Sequence, residues 1–502
     1  MRSKKRYVSI VCMVLILMVS ISLISCQKKE RTESTQVAPV DIETLKSRLV
    51  LETKEDAKTG AKVSRGTFAV FEDREAQEGR MIHLDVVVLH AMELMVKPDP
   101  VFVFAGGPGA NVSTYANLYT KSWIREQRDI VLVSQRGTGG DNRLDCELAT
   151  SDDNLQSYFD PLFRIDIFRT CLEELKEKYD LTKYSTCMAA DDYNEVRLAL
   201  GYGKINVTGG SYGTRMALVY MRRHPETVRT AILNGIAPIA FKNPLFHAPG
   251  FHDAIRLLMA ECANDPDCHA AYPNLEEEYE TILAQLEQEP AVVNVKHPVT
   301  KKQVPIKLSR EAFIEALRTV MYGGNRQVPH LIHRAFEGDY VPFAQAGLMS
   351  EWSIRRFLAL GMLLCVTCAE DLDRITEEEI VKITSGTDMG DGRVRRQKAV
   401  CEFWPRSEIP DNYGEPVSVD VPVLLISGIL DPVTPPRFGE EVASHLPNSH
   451  HLIVPGAHVV GNRCLTNIQK QFLETGTVEG LDISCMETLK AGRFRIPKKK
   501  KH

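Results

Sequence analysis

Residues 209–213 (GGSYG) fit the pattern G-x-S-x-G, which holds a serine in a sharp turn between a strand and a helix. The apolar, β-branched run 204–208 precedes the turn, and the helical run 214–223 follows it. Glycines flank the serine because a Cβ atom would clash on both sides of so tight a turn. The pattern predicts an exposed nucleophile at Ser211, with a glycine-rich turn that does no chemistry as the alternative.

Two loops further along the chain carry the groups that such a serine needs. A serine hydroxyl is a weak nucleophile near neutral pH and requires a base, which a carboxylate holds in one tautomer. Asp431 follows the strand predicted over 421–427, and His458 follows the strand predicted over 451–454. Both would lie at the carboxyl ends of strands, where open α/β sheets build their sites. The order serine, acid, histidine is that of α/β-hydrolases; His450 and His451 are the alternative bases.

A glycine-rich loop supplies a third element, a pocket for a developing oxyanion. Residues 105–109 (AGGPG) directly follow the apolar strand predicted over 101–104. Hydrolases of this type use one backbone N–H from such a loop and one from the residue after the nucleophile. The expected donors are therefore Gly107 and Tyr212, because Pro108 has no N–H.

The elements that must position these residues alternate along the chain. Short apolar runs bounded by glycine or proline predict buried parallel strands, and periodic runs between them predict helices. Charge-rich helical segments replace this alternation between residues 241 and 418. The fold class is therefore α/β: a mostly parallel sheet with flanking helices over 63–240 and 419–490, interrupted by a helical cap over 241–418.

The N-terminus has the features of an export signal. Basic residues precede an apolar stretch that ends in Leu23-Ile24-Ser25-Cys26, which is similar to a bacterial lipobox. We expect residues 1–25 to be removed, Cys26 to be lipidated, and residues 26–62 to form a flexible tether. The protein would then lie in the cell envelope outside the cytoplasm; an uncleaved membrane anchor is the alternative.

Charge and cysteine content narrow the function classes. Removing four basic residues with the signal takes the formal net charge from −5 to −9, so a nucleic-acid partner is not expected, and 491–502 is a local basic tail. No sequence pattern indicates a metal site or another cofactor. Ten cysteines remain besides Cys12 and Cys26 and predict disulfides in an exported chain. The candidate local pairs are Cys262 with Cys268 and Cys464 with Cys485. Further candidates are Cys146 with Cys171, and Cys401 with Cys365 or Cys368; the spacing does not determine the connectivity.

Four motifs in order resemble the prolyl iminopeptidase and tripeptidyl aminopeptidase family of serine peptidases. They are the sequences GGPG at 106–109, QRGTG at 135–139, GGSYG at 209–213 and DPVTP at 431–435. The resemblance implies an α/β-hydrolase core, a helical cap over the site, and release of residues from free peptide N-termini. The chain departs from the family pattern at Ser134, where aspartate is usual, and around His458, where Ala457 and Val459 replace glycines.

An exopeptidase must bind the α-ammonium of its substrate, and a carboxylate in the cap would do so. Glu370 and Asp371 are the candidates, with a solvated acidic face as the alternative reading. We therefore expect a serine exopeptidase acting on peptides through an acyl-enzyme, without a cofactor. The alternative is a carboxylesterase or lipase-type enzyme with the same triad. A binding lipoprotein that kept only the fold is a third reading, and the sequence does not indicate an oligomeric state.

Overall fold

The computed structural model describes residues 41–57, 59–147 and 151–497. The predicted signal peptide, Cys26 and the end of the basic tail lie outside these residues. Within the described ranges, no helix combines the length and the hydropathy that a membrane span requires.

A mixed sheet forms the centre of the molecule. The strands in chain order are β1 (Leu49–Glu55), β2 (Lys62–Phe71), β3 (Met81–Leu89), β4 (Val101–Phe104), β5 (Ile130–Val133), β6 (Ile205–Gly210), β7 (Val228–Asn234), β8 (Ala291–Lys296), β9 (Gln303–Leu308), β10 (Val423–Gly428) and β11 (Ser449–Val454). The order of strands in the central sheet is β1-β2-β3-β5-β4-β6-β7-β10-β11. Along this order the neighbours from β1 to β5 pair antiparallel, and the neighbours from β5 to β11 pair parallel. The predicted α/β class with a mostly parallel sheet is confirmed.

Helices connect the strands and fill the insertion between β7 and β10. Those before the insertion are α1 (Ile42–Ser47), α2 (Ala116–Tyr119), α3 (Ile165–Lys176), α4 (Thr186–Ala199) and α5 (Tyr212–Arg223). The insertion holds α6 (His247–Asn264), α7 (Pro266–Ala271), α8 (Leu275–Gln288), α9 (Arg310–Val320), α10 (Val328–Phe336), α11 (Val341–Phe357), α12 (Leu360–Glu370), α13 (Glu377–Thr384) and α14 (Gly392–Cys401). The chain ends with α15 (Pro436–His445) and α16 (Arg463–Thr475).

The central strands are buried along their whole length because helices pack against them. Every residue of β4, β5 and β10 is buried, which explains why their sequences VFVF, IVLV and VLLISG lack polar alternation. Helix α5 packs on β4, β6 and β7, and α15 packs on β10 and β11. These contacts fix the carboxyl ends of the parallel strands, where the candidate site lies.

The insertion differs from the prediction in containing a hairpin. Strands β8 and β9 pair antiparallel beside the cap helices. Their side chains alternate between buried and exposed positions, so neither strand shows the unbroken apolar run by which the core strands were predicted. The insertion is therefore mainly helical with one small sheet.

The predicted tether is too long. Residues 42–47 form α1, and β1 pairs with β2 over its whole length, from Leu49 opposite Phe68 to Glu55 opposite Lys62. Strand β1 lies at the edge of the sheet and is mostly exposed. Its charged residues are for that reason also typical of a linker, and the sequence pattern does not distinguish the two. Of the predicted tether, residues 26–40 and residue 58 lie outside the described residues.

Four disulfides join the predicted cysteines. The pairs are Cys146–Cys171, Cys262–Cys268, Cys368–Cys401 and Cys464–Cys485. Of the two candidate partners of Cys401, Cys368 forms the disulfide, and Cys365 is a buried free thiol. The two cysteines of CVTC (365–368) therefore do not form a disulfide with each other.

A buried ion pair ties the loop after β5 to helix α4. The Arg136 side chain is fully buried; its Nε donates to Asp192 Oδ2 at 2.7 Å and its Nη2 donates to Oδ1 at 2.8 Å. Arg74 donates to the same carboxylate at 2.6 Å. The main-chain oxygens of Glu72 and Lys183 accept from Arg136 Nη1. Arg136 is thus a structural residue, and Asp192 balances its charge even though Ser134 replaces the aspartate usual in the family.

We predict that Asp192→Ala destabilises the fold by about 3–5 kcal/mol, because Arg136 would stay buried and lose its counter-charge. Guanidinium unfolding at neutral pH measures the loss. Asp166→Ala is the control, since Asp166 pairs with Arg164 at an exposed site and should leave the transition unchanged. An equal shift in both variants would contradict the prediction.

Candidate active site

Ser211 occupies the turn between β6 and α5 in a strained backbone conformation. Its φ of 57° and ψ of −128° are rare for a residue with a side chain and are typical of strained functional turns. The turn is crowded as the sequence pattern predicts. A Cβ atom on Gly209 would lie 2.3 Å from the Gly213 oxygen, and one on Gly213 would lie 2.3 Å from the Phe104 oxygen. Packing of α5 against β4 and β6 therefore forces the serine into the turn.

His458 and Asp431 form a hydrogen-bonded pair at the ends of neighbouring strands. His458 Nδ1 lies 2.8 Å from Asp431 Oδ2, and the carboxyl group is fully buried. Asp431 Oδ1 accepts the main-chain N–H groups of Val433 and Thr434, both at 2.8 Å. Burial alone would raise the pKa of Asp431, but His458 and these N–H donors lower it below its ordinary value. The carboxylate is thus ionised and can orient the histidine ring.

Two further residues fix the position of His458. Asn234, at the end of β7, donates to the Val460 oxygen at 2.7 Å and accepts from the Val460 N–H at 3.0 Å, which holds the loop. The ring of Tyr322 from the cap packs on the imidazole with 5.0 Å between centroids. Ser211 and His458 line one cavity, and no hydrogen bond joins them among the described residues. Such bonds often form only when substrate binds.

The alternative histidines do not take part. His450 and His451 lie within β11, and His451 Nε2 is 2.9 Å from Ser427 Oγ. Neither lines the cavity that contains Ser211. The geometry therefore favours His458 as the base.

Two backbone N–H groups at the floor of the cavity can bind an oxyanion. Gly107 and Tyr212 both line the cavity, and neither N–H has a partner among the described hydrogen bonds. Tyr212 is the first residue of α5, so the positive end of the helix dipole points toward the same place. The loop that carries Gly107 is bonded to the cap, because the Ala359 N–H donates to the Gly109 oxygen at 2.8 Å.

Core and cap enclose a cavity of about 720 Å³ around these groups. Its core side includes Gly107, Ser211 and His458, and its cap side is formed by residues of α6, α9, α11 and α14. The volume lies within the roughly 300–1,000 Å³ range of small-ligand pockets. The site thus fits a short segment of substrate.

The predicted ammonium ligands, Glu370 and Asp371, are wrong. Both are fully buried and neither lines the cavity. Glu370 accepts the N–H and the hydroxyl of Thr186, each at 2.7 Å, and the hydroxyl of Tyr413. Asp371 accepts Arg215 Nη1 at 2.8 and 2.9 Å. Burial raises the pKa of Glu370 despite the opposing hydrogen bonds from Tyr413 and Thr186. Because their acceptors are already engaged, these carboxyls join cap to core and are not free for a substrate.

Glu351 of α11 is the carboxylate that does line the cavity. Its Oε2 accepts Arg355 Nε at 2.6 Å, whereas its Oε1 has no partner among the described residues. The sequence held a signal for it. Ala344, Leu348, Glu351 and Arg355 follow helical spacing, and two charges on an otherwise apolar, buried face need a reason to be there.

Arginines dominate the cap wall next to Glu351. Arg318 donates through Nε and Nη2 to Glu315 Oε2 at 3.1 and 3.0 Å and through Nη1 to the Tyr322 hydroxyl at 2.7 Å. Arg393 reaches Glu315 only at 3.3 and 3.4 Å. Burial would raise the pKa of Glu315, but Arg318 and Arg393 lower it to about 2. The sequence analysis named none of these residues.

No group of three or more histidine, cysteine or acidic side chains with the arrangement of a metal site occurs in the part of the chain that the structure describes. The reactive groups of the site are the serine, the histidine–carboxylate pair and the backbone donors.

Two family models match the chain. Residues 99–303 match the α/β-hydrolase fold, and residues 388–485 match the TAP-like protein model. The first match contains Ser211 and the second contains Asp431 and His458. The chain thus has the α/β-hydrolase fold, and its C-terminal part is similar to TAP-like proteins.

Curated relatives are hydrolases. The serine protease Hip1 of Mycobacterium tuberculosis is 26% identical over 340 residues, which cover 63% of this chain and 64% of that protein. The chain thus matches less than two thirds of that relative's length. The proline iminopeptidase of Neisseria gonorrhoeae is 29% identical over 158 residues, covering 31% of this chain and 39% of that protein.

A crystal structure of a proline iminopeptidase from Mycobacterium smegmatis covers 82% of this chain and 98% of its own, with 15% identity and a TM-score of 0.39. A similarity this low adds nothing to the argument from sheet topology. The family models show the α/β-hydrolase fold, and the relatives to which the chain is similar are a serine protease and proline iminopeptidases.

We predict that Glu315→Gln costs roughly 2–3 kcal/mol of stability at neutral pH, because the folded state lowers the pKa of this carboxyl from 4.5 to about 2. A lowered pKa stabilises the fold above the unfolded value, and that stabilisation is lost as the pH falls through the folded value. The gap between wild type and variant should therefore close between about pH 4.5 and pH 2.

Denaturant unfolding at pH 7, 4 and 2.5 tests this prediction. Glu287→Gln is the control, since Glu287 is exposed and lies 3.5 Å from Arg310 in the cap. A gap for Glu315→Gln that stays constant with pH would contradict the prediction.

Proposed function

We propose that this protein is a serine exopeptidase that removes residues from the free N-termini of peptides. The observation that carries the proposal is the position of Glu351, a buried carboxylate whose Oε1 has no hydrogen-bond partner among the described residues, in the same cavity as Ser211. A carboxylate in a partly dry pocket binds an ammonium group more strongly than one in water. The relationship to proline iminopeptidases supports the same substrate class.

The chemical steps follow from the site geometry. Ser211 Oγ attacks the scissile carbonyl carbon while His458 Nε2 takes the hydroxyl proton. Asp431 holds the imidazolium at Nδ1, and the N–H groups of Gly107 and Tyr212 bind the oxyanion. His458 then gives its proton to the leaving amine, so that the peptide bond breaks and an acyl-enzyme remains. Water, deprotonated by His458, attacks this ester, and the released product restores the Ser211 hydroxyl.

The enclosed cavity supports an exopeptidase over an enzyme that cuts within long chains. Cap helices cover the serine, and the cap segment at Leu358–Ala359 pairs with the loop of residues 109–110. We expect a chain end to enter a cavity covered on this side more readily than the middle of a long polypeptide.

We further propose that lipid on Cys26 anchors the enzyme in the cell envelope, where such peptides would reach it from outside the cytoplasm.

We predict that Ser211→Ala lowers kcat about a million-fold and Asp431→Ala about ten-thousand-fold, since the serine is the nucleophile and the aspartate acts through His458. Fluorogenic Pro-, Ala- and tripeptidyl substrates, each with a free or an acetylated N-terminus, measure the loss. Ser444→Ala is the control, because that hydroxyl bonds only the Glu441 oxygen of its own helix.

Turnover of the free forms only, lost in Ser211→Ala, is the expected result. Equal turnover of free and acetylated forms, or turnover of simple esters alone, would instead identify an esterase. Full activity in Ser211→Ala would exclude this serine as the nucleophile.

We predict that Glu351→Gln raises KM for free N-terminal peptides by about ten-fold or more, because a charged hydrogen bond to the ammonium is replaced by a neutral one. The same variant should change hydrolysis of a small uncharged ester less than about two-fold. Steady-state kinetics on both substrates tests this, with Glu287→Gln as the control outside the cavity. Equal losses on both substrates would show that Glu351 only supports the cap.

A further inference from the structure

The cap wall of the cavity carries more positive than negative charge. Arg318, Arg355 and Arg393 line the cavity, while Glu315 and Glu351 are the carboxylates that contact them. Three cations and two anions leave one positive charge over. An ammonium group bound to Glu351 would increase this excess. A substrate that carries an amine and no anionic group would therefore leave positive charge unbalanced.

The excess charge resides on Arg393. Arg355 is engaged by Glu351 and by the main-chain oxygens of Ser157 and Tyr158. The N–H groups of Arg318 reach Glu315 and Tyr322. Arg393 has only its two long contacts to Glu315, and its buried Nε has no hydrogen-bond partner. Burial lowers the pKa of Arg393, as expected for a buried cation whose charge is not fully balanced by nearby anions.

Two more unpartnered polar atoms lie along the same wall. Gln397, one helical turn after Arg393 on α14, is 1% exposed, and its Oε1 has no partner. His247 is 6% exposed, and its Nδ1 also has none. Burial, followed by the charges of Arg318 and Arg393, lowers the pKa of His247 well below its usual value, so the ring is neutral. Buried polar groups are normally paired, and several orphans around one cavity indicate a missing ligand.

The wall is close enough to the reacting groups to act on substrate. Arg318 contacts the Tyr322 hydroxyl at 2.7 Å, and the Tyr322 ring packs on His458 at 5.0 Å between centroids. Arg318 therefore lies about one aromatic ring away from the base. The Phe163 ring, 5.2 Å from the Arg393 guanidinium, limits where that group can move.

From this arrangement we propose that Arg393, with Gln397 and His247 beside it, forms a subsite for a carboxylate of the peptide substrate. The guanidinium would donate Nε and Nη2 to the carboxylate, and Gln397 Oε1 would accept an N–H from the adjoining peptide unit. The carboxylate comes either from an acidic side chain or from the C-terminus of a short peptide. This inference rests on the proposed peptidase function and narrows its substrates.

Matched substrate pairs distinguish the two sources. In one set, glutamate or glutamine occupies each of the first three positions of a free N-terminal fluorogenic peptide. In the other set, short neutral peptides end in a carboxylate or an amide. Wild type should prefer the carboxylate by about ten-fold or more in kcat/KM in one of the sets, which identifies the source.

Arg393→Gln should abolish that preference and change kcat/KM for the neutral partner less than about two-fold. Arg395→Gln is the control, since Arg395 lies on the same helix, is exposed, and pairs with Glu377 and Asp391. Should Arg393→Gln fail to fold, Arg393→Lys decides, because it keeps the charge without the planar fork and should reduce the preference at least about three-fold. Equal treatment of both partners by wild type, or equal losses on both in the variant, would overturn the subsite.

A failure of the proposed function looks different. If wild type cleaves no peptide, the peptidase proposal is wrong, and the subsite is tested by binding. Calorimetry of Ser211→Ala with the same peptide pairs should then show tighter binding of the carboxylate partner, lost in the Ser211→Ala/Arg393→Gln double variant. Equal affinities for both partners would overturn the inference.

Discussion

The packing of helix α5 against strands β4 and β6 is the constraint on which the site depends. The helix approaches so closely that a Cβ on Gly213 would overlap the Phe104 oxygen, and the chain between strand and helix must turn within one residue. Ser211 takes that turn at a φ of 57°. The same close packing places the first N–H of the helix beside the serine and aligns β7 and β10, whose ends carry Asn234 and lead to Asp431. Strain at one residue thus accompanies the placement of every other group in the site.

Buried charges attach the cap to this turn from behind. Arg215 of α5 pairs with Asp371, and the hydroxyl of Tyr212 lies 2.7 Å from Thr186 Oγ1, which in turn donates to Glu370. These groups are far apart in sequence and meet only in the folded chain. Burying them is costly unless every partner is present, so they specify one position of α12 relative to α5. The carboxyls that were predicted to bind a substrate ammonium instead determine the position of the cap on the core.

The sequence could predict those parts of the structure that local rules govern. Ser211, Asp431 and His458 stand next to strands whose apolar runs are unmistakable, and their order along the chain restricts their roles. The sheet class follows from the same runs. Glu370 and Glu351 show the limit of such rules, because both are acidic residues on cap helices. Glu370 is bonded to Thr186 and Tyr413, which are distant in sequence, whereas Glu351 lines the cavity. Only the folded structure distinguishes these two surroundings. The edge strand β1 and the hairpin β8–β9 were missed because their alternation is that of half-exposed strands.

The hydrogen bond from the Ala359 N–H to the Gly109 oxygen links the cap to the loop that carries Gly107. Any opening of the segment between α11 and α12 that breaks this bond also frees the loop that carries Gly107. An open enzyme would then admit substrate with an incomplete oxyanion pocket, and the pocket would be completed as the cap closes. Because this bond joins two main chains, it does not depend on the identity of the cap side chains.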